Sequence, residues 1–123
     1  MRYLLFIFIF PLFVFCHDSG ESRADFFKND LNVSLVQFEK IESIDNRYMT
    51  TYEKLYSKLD VTKAELTIAI KKSPYNEKKV IKLINESFSL QAKIKLHNVK
   101  HHLEIEALLD SFQRMKFNEV YSP

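Results

Sequence analysis

The stretch Ser73-Pro74-Tyr75-Asn76 separates two segments of helical length and decides how the chain folds. Pro74 disfavours a helical conformation at Ser73, so a first helix should end here. Asn76 is a good N-cap residue, and Glu77 places an acid in the first turn of a second helix. A short connection between two long helices predicts an antiparallel helical hairpin.

The segments on both sides of this break carry apolar residues at helical spacing. The first segment repeats them mostly every three or four residues, at Phe38, Ile41, Tyr48, Tyr52, Leu55 and Leu59. The second follows a seven-residue rhythm, at Leu83, Leu90, Ile94 and Leu108. Each pattern predicts one apolar face, and the two faces form the seam of the hairpin. Asp45 is the acid that interrupts the first face, and His97 and His101 fall on the second.

The composition favours an all-α fold. The 123 residues contain one Gly and three Pro, which leaves little material for the tight turns of a sheet. We expect about four helices in a hooked hairpin: a short helix over residues 24–30, two long arms, and a last helix over residues 112–120. Asn32 or Ser34 should cap the first arm, Asp110 or Ser111 the last helix, and Phe112 and Phe117 should be buried.

The first residues have the pattern of a secretory signal peptide. Arg2 precedes an apolar run over residues 3–15, which is too short to cross a bilayer comfortably as a helix. We expect cleavage before His17 and a location outside the cytoplasm. Lipidation at Cys16 and retention of residues 3–15 as an anchor are the alternatives. The predicted organisation is a signal peptide at 1–16, a flexible lead-in and short helix at 17–30, and the hairpin domain at 31–123.

Charge and cysteine content exclude several classes of protein. The net charge is only +2, and the lysines and arginines form no basic stripe, which argues against binding to nucleic acid. Cys16 is the only cysteine, so the chain cannot form an internal disulfide. The sequence contains no nucleophile-elbow pattern, no Gly-rich phosphate loop and no HExxH motif, so we do not expect an enzyme.

The three polar residues on the seam predict a metal site. Folding about Pro74 with equal rise on both arms brings Asp45 level with Glu104 and within one turn of His101. His97 lies four residues before His101 on the same face, a common helical start to a zinc, copper or nickel site. Asp45, His97 and His101 would supply three ligands, with Glu104 or water as a fourth. Imidazole and carboxylate ligands favour zinc, nickel, cobalt or copper over calcium.

A structural interpretation of the same residues remains open. Two histidines on a partly buried seam beside an acid also form hydrogen bonds with one another or with water, without any metal. His102 shows that this segment carries a histidine away from the seam as well.

Two motifs resemble those of a known superfamily. Val33-Ser34-Leu35-Val36-Gln37 and Leu109-Asp110-Ser111-Phe112-Gln113-Arg114 are similar to the LTxxQ motif that occurs twice in the Spy/CpxP superfamily of periplasmic helical proteins. The residues from Glu65 to Pro74 resemble the hairpin turn of its CnrX-like heavy-metal sensor branch. The resemblance implies a periplasmic hooked hairpin that is usually dimeric and that senses or buffers divalent metals or acts as an ATP-independent chaperone.

The resemblance carries over only part of the CnrX-like ligand set. The positions of the first-helix histidine pair are occupied by Ala24 and Lys28, and the methionine position by Ile105. The carboxylate position falls on Asp45 and the later histidine on His101. A faithful copy of the sensor site is therefore not expected, and His97 is an addition suggested by spacing alone.

Two functions remain as hypotheses. The first is a metal-responsive periplasmic protein whose state is read by a membrane-bound signalling partner. The second is a Spy-like chaperone that binds unfolded client proteins through exposed apolar residues. Phe88, Leu96 and Leu103 lie off the seam, which also favours a homodimer that buries them.

Overall fold

A computed structural model describes residues 22–123, and the predicted signal peptide and the residues up to 21 lie outside this range. The described elements are helix α1 (Arg23–Asp25), which continues as a π-helical turn (Phe26–Asp30), and the helices α2 (Leu35–Lys71), α3 (Glu77–Glu106) and α4 (Ser111–Val120). The predicted all-α hairpin is confirmed, because α2 and α3 pack along each other in opposite directions. No helix among residues 22–123 is long and apolar enough to cross a bilayer.

The hairpin turn lies where the sequence predicts it. Helix α2 ends at Lys71, and α3 begins at Glu77 with Asn76 as its N-cap. The Asn76 side chain accepts a hydrogen bond from the Lys79 backbone N–H at 3.1 Å, which satisfies one of the free donors of the first turn. Helix α2 is continuous over 37 residues, so Asp45 lies in its regular interior.

The seam between the long arms is narrow. Leu59, Leu90 and Ile94 form a buried cluster, with Leu55 packed against it. The small side chains of Thr62 and Ser87 are also buried there. Such a seam removes one stripe of each helix from water and leaves the opposite faces exposed.

The main core lies at the open end of the hairpin, away from the turn. There the residues 22–33, which we call the hook, pack together with α4 and the ends of both arms. The buried side chains of this core are Phe26, Phe27, Leu31, Phe38, Ile41, Ile105, Leu109 and Phe117. The hook joins α2 at Asn32, whose φ of 50° is left-handed, a conformation that Asn tolerates better than most residues.

Only one of the two phenylalanines expected inside α4 is buried. Phe117 is 1% exposed, whereas Phe112 is 59% exposed, so the prediction for Phe112 is wrong. The two residues are five positions apart, which turns them about 140° from each other on a helix. Gln113, four residues before Phe117, shares its buried face instead.

The two LTxxQ-like stretches meet at this open end. Each begins a helix with a capping box: Ser34 with Gln37 at the start of α2, and Asp110 with Gln113 at the start of α4. The Gln37 amide also donates to Gln113 Oε1 at 3.1 Å and to the Leu108 carbonyl at 2.7 Å. Gln113 in turn donates to the Leu31 carbonyl at 3.2 Å. The glutamines therefore join two helix starts, the hook and the end of α3.

Replacing Gln113 should destabilise the fold by more than a surface substitution does. Gln113→Met keeps the side-chain length but leaves the Leu31 carbonyl and the Asp110 backbone N–H without their partner. We expect a loss of about 2–3 kcal/mol in the free energy of unfolding, measured by urea denaturation. Gln91→Met is the matched control: Gln91 is exposed on α3 and makes one long hydrogen bond, to Ser87 Oγ at 3.3 Å, so its loss should cost at most about 1 kcal/mol. Equal effects of the two substitutions would contradict the role given to Gln113.

Candidate functional site

Asp45 and His101 form a direct contact between the two long arms. Asp45 projects from α2 and His101 from α3, and His101 Nε2 lies 2.6 Å from Asp45 Oδ1. A carboxylate only accepts hydrogen bonds, so Nε2 carries the proton. The Asp45 side chain is 26% exposed and the His101 side chain 15% exposed, so the contact is partly shielded from water. The structure thus brings together the acid and the nearer histidine that the spacing predicted to be neighbours.

Arg23 binds the same carboxylate from the hook. Its Nε donates to Asp45 Oδ2 and its terminal nitrogen to Oδ1, both at 3.1 Å. The guanidinium also lies over the Phe27 ring, at 5.3 Å, and over the Tyr121 ring, at 5.1 Å. A forked ion pair with two aromatic contacts holds the hook against both α2 and the C-terminal residues. The sequence pattern gives no signal for Arg23, because this residue lies outside the helical period of either arm.

His97 points to the backbone of α2 rather than to Asp45. Its Nε2 lies 3.1 Å from the Tyr48 carbonyl oxygen and donates the hydrogen bond. The Tyr48 ring stacks on His101, with centroids 4.6 Å apart and planes at 11°, and lies 4.5 Å from the His97 ring. Tyr52 contacts His97 edge-on at 4.6 Å. Both imidazoles are therefore packed against tyrosines of the opposite arm.

Glu104 is engaged next to the pair. Its carboxylate accepts hydrogen bonds from the Tyr48 hydroxyl and from the Arg47 guanidinium. These bonds hold the pKa of Glu104 below its usual range, and the hydrogen bond from Tyr48 has the largest effect. Burial raises the pKa of the Tyr48 hydroxyl, and the hydrogen bond to Glu104 adds to the effect. Tyr48 therefore remains a neutral donor, and Glu104 a charged acceptor, at neutral pH.

The charge on Asp45 is stabilised by its two partners. Burial acts to raise the pKa of Asp45, but the hydrogen bond from His101 and the positive charge of Arg23 outweigh it, and the pKa is lowered. Asp45 is thus an anion with both oxygens occupied at neutral pH.

The predicted ligands form a pair rather than a complete metal site. Within residues 22–123, no three His, Cys, Asp or Glu side chains are arranged as a metal-binding group. Asp45 and His101 supply two adjacent ligand atoms, while His97 and Glu104 are held by other partners. A metal at this position has to replace the proton on His101 Nε2. The ligand set Asp45, His97 and His101 therefore stays a prediction that requires a rotation of His97.

Solvent reaches His101 through a cleft of about 480 Å³ at the open end of the hairpin. Its wall includes Arg23, Tyr52, His101 and Tyr121. The cleft gives access to His101, whereas Asp45 is not part of its wall.

His102 serves a different part of the structure. Its Nε2 lies 2.7 Å from Asn118 Oδ1 on α4, and its ring stacks on Phe117 at 4.6 Å. It thereby holds α4 against α3 and takes no part in the contact with Asp45.

No protein-family model, curated protein or solved structure matches this chain. The resemblance to the Spy/CpxP superfamily accordingly stays a prediction from the two motifs and the turn.

The stabilising effect of the Asp45 charge should disappear in acid. Because its pKa is lowered in the folded state, the charge stabilises the fold above the unfolded pKa and loses this effect as pH falls through the folded value. Asp45→Asn should lower the free energy of unfolding by about 1–2 kcal/mol at pH 7, and the difference from the native chain should vanish as pH falls below about 4.

Chemical denaturation at a series of pH values measures this difference. Asp60→Asn, which neutralises an exposed acid on the same helix, is the control and should have little effect at any pH. A loss in Asp45→Asn that is the same at pH 7 and pH 2 would contradict an ionic role for Asp45.

Proposed function

We propose that this chain is a metal-responsive helical protein of the periplasm that binds a divalent transition metal between α2 and α3. Zinc, nickel, cobalt and copper are the candidate ions, because the ligands are imidazole and carboxylate. The observation that supports the proposal is the 2.6 Å contact between Asp45 Oδ1 and His101 Nε2, which joins the two long arms.

The geometry of this pair is close to what a metal requires. Zinc holds nitrogen and oxygen ligands at about 2.0–2.2 Å, so two of them at tetrahedral angles lie about 3.3 Å apart. The present separation is 2.6 Å. Widening it by about 0.7 Å and removing the shared proton therefore makes room for the ion. An imidazolium releases the Nε2 proton to solvent when the metal binds, whereas a neutral ring moves it to Nδ1 with no net release. Metal affinity should therefore rise with pH only over the range in which the imidazolium is deprotonated.

His97 is the third ligand in this proposal. Its Nε2 is bound to the Tyr48 carbonyl, which in the interior of α2 also accepts a hydrogen bond from its own helix. Rotation of the imidazole therefore does not leave that carbonyl unsatisfied. Water completes the coordination, and Glu104 stays with Tyr48 and Arg47.

Metal capture would act on the packing of the two arms. An ion bound only by the folded hairpin stabilises it by mass action. If the arrangement of the arms differs between the two states, a membrane-bound partner can detect the shift in population.

Histidine substitutions on α3 test the site directly. Calorimetry with zinc, nickel, cobalt and copper should show binding tighter than about 100 µM for the native chain, a loss of at least about tenfold in His97→Ala, and near-complete loss in His101→Ala. His102→Ala is the matched control, since His102 contacts Asn118 and Phe117 instead, and should bind metal as the native chain does. Absence of binding by the native chain, or unchanged binding by His101→Ala, would contradict the proposal.

A second candidate function rests on the outer face of α3. Large apolar side chains recur there at helical spacing opposite the seam and form what we call the outer stripe: Ile81, Ile84, Phe88, Leu96 and Leu103. All five are at least 36% exposed, and Phe88 is 65% exposed. An exposed stripe of this kind favours binding of apolar segments of unfolded client proteins, as in a chaperone. The homodimer expected from the sequence would bury the outer stripe.

The chaperone candidate predicts suppression of aggregation at near-equal ratios of this protein to a denatured client, measured by light scattering. The double substitution Phe88→Ser/Leu96→Ser should abolish the effect, because it removes the middle of the outer stripe. Val61→Ser/Ile68→Ser removes two exposed apolar side chains from α2 and serves as the control. No suppression by the native chain, or equal loss in both variants, would count against client binding by the outer stripe.

A further inference from the structure

We infer that Arg23 competes with the metal for the Asp45 carboxylate, so that metal binding releases the first turn of the hook. The inference rests on the metal-binding function proposed above and adds its regulation. It concerns a residue of the hook, outside the predicted ligand set.

The hydrogen bonds of Asp45 show why the two cations compete. Oδ1 accepts from both His101 and the terminal nitrogen of Arg23, and Oδ2 accepts from Arg23 Nε. A metal bound to Oδ1 and His101 Nε2 therefore takes the place of at least one bond from Arg23. The remaining guanidinium would lie beside a divalent cation.

The charge of Arg23 makes this competition strong. A guanidinium does not lose its proton in proteins, so it cannot relieve the repulsion by becoming neutral. Histidine, in contrast, frees Nε2 for the metal by losing a proton from the imidazolium or, in the neutral ring, by moving its proton to Nδ1. Arg23 is therefore the group that has to move when the ion enters.

The effect of the release is local. Arg23 holds the first turn of the hook, where Asp25 N–H donates to Ser22 Oγ at 3.2 Å and Phe26 N–H to the Ser22 carbonyl at 3.1 Å. The hook beyond this turn is held independently by the burial of Phe26, Phe27 and Leu31. Loss of the Asp45 contact leaves Arg23 only its ring contacts with Phe27 and Tyr121. Residues 22–25 should therefore open more often, while the rest of the hook stays packed.

Arg23→Gln tests the inference, because glutamine keeps polarity and loses the charge. Calorimetry with zinc should give binding about 10–100-fold tighter than in the native chain. Lys28→Gln is the matched control: it removes one positive charge from the same hook, but the Lys28 amino group lies over the Phe38 ring. It should bind zinc with native affinity. Arg23→Lys keeps the charge without the forked contact and should give an intermediate value.

Amide hydrogen exchange provides a readout independent of affinity. Zinc should speed exchange at the Asp25 and Phe26 amides in the native chain and leave the amides around Leu31 unchanged. In Arg23→Gln these two amides should exchange fast already, and zinc should add nothing.

The outcomes separate this inference from the function on which it rests. Zinc binding of equal strength in the native chain, Arg23→Gln and Lys28→Gln would overturn the competition and leave the metal site in place. Unchanged exchange at Asp25 and Phe26 on zinc binding would overturn the release. Absence of zinc binding in every variant, Arg23→Gln included, would overturn the proposed function and this inference together.

Discussion

The carboxylate of Asp45 is the point at which three separate parts of the chain meet. It receives His101 from the opposite arm and Arg23 from the hook, and it lies in the regular interior of α2. Because both oxygens are occupied, the anion is stabilised where burial alone would disfavour it. Protonation of Asp45, or any other change in its partners, therefore alters a contact with the opposite arm and a contact with the hook at the same time.

The rest of the structure concentrates packing at one end of the hairpin. Near the turn the arms share only a narrow seam around Leu59 and Leu90, whereas the open end contains the aromatic core and the paired capping boxes of Gln37 and Gln113. The Asp45–His101 contact lies between these two regions. A shift in its geometry can therefore act on the hook without requiring the capped helix starts to unfold.

The sequence predicted those features that depend on period and local chemistry. Pro74 and Asn76 placed the turn, and equal rise on the two arms placed Asp45 near His101. It did not reveal the contact of Arg23 with Asp45. The chain between Arg23 and α2 contains a π-helical turn and a left-handed Asn32, and no simple period predicts this path. The orientation of His97 also escaped prediction, because a ring on the correct face still chooses its partner by side-chain rotation, here the Tyr48 carbonyl. Outside the described residues, the secretory leader stays a prediction.

The most direct test of the account is nuclear magnetic resonance of the histidine ring nitrogens during a titration with zinc. We expect His101 Nε2 to change from a protonated to a metal-bound nitrogen at saturating zinc, and the His102 ring nitrogens to keep their shifts. Ring nitrogens of His101 that remain unchanged at saturating zinc, or that change no more than those of His102, would contradict it.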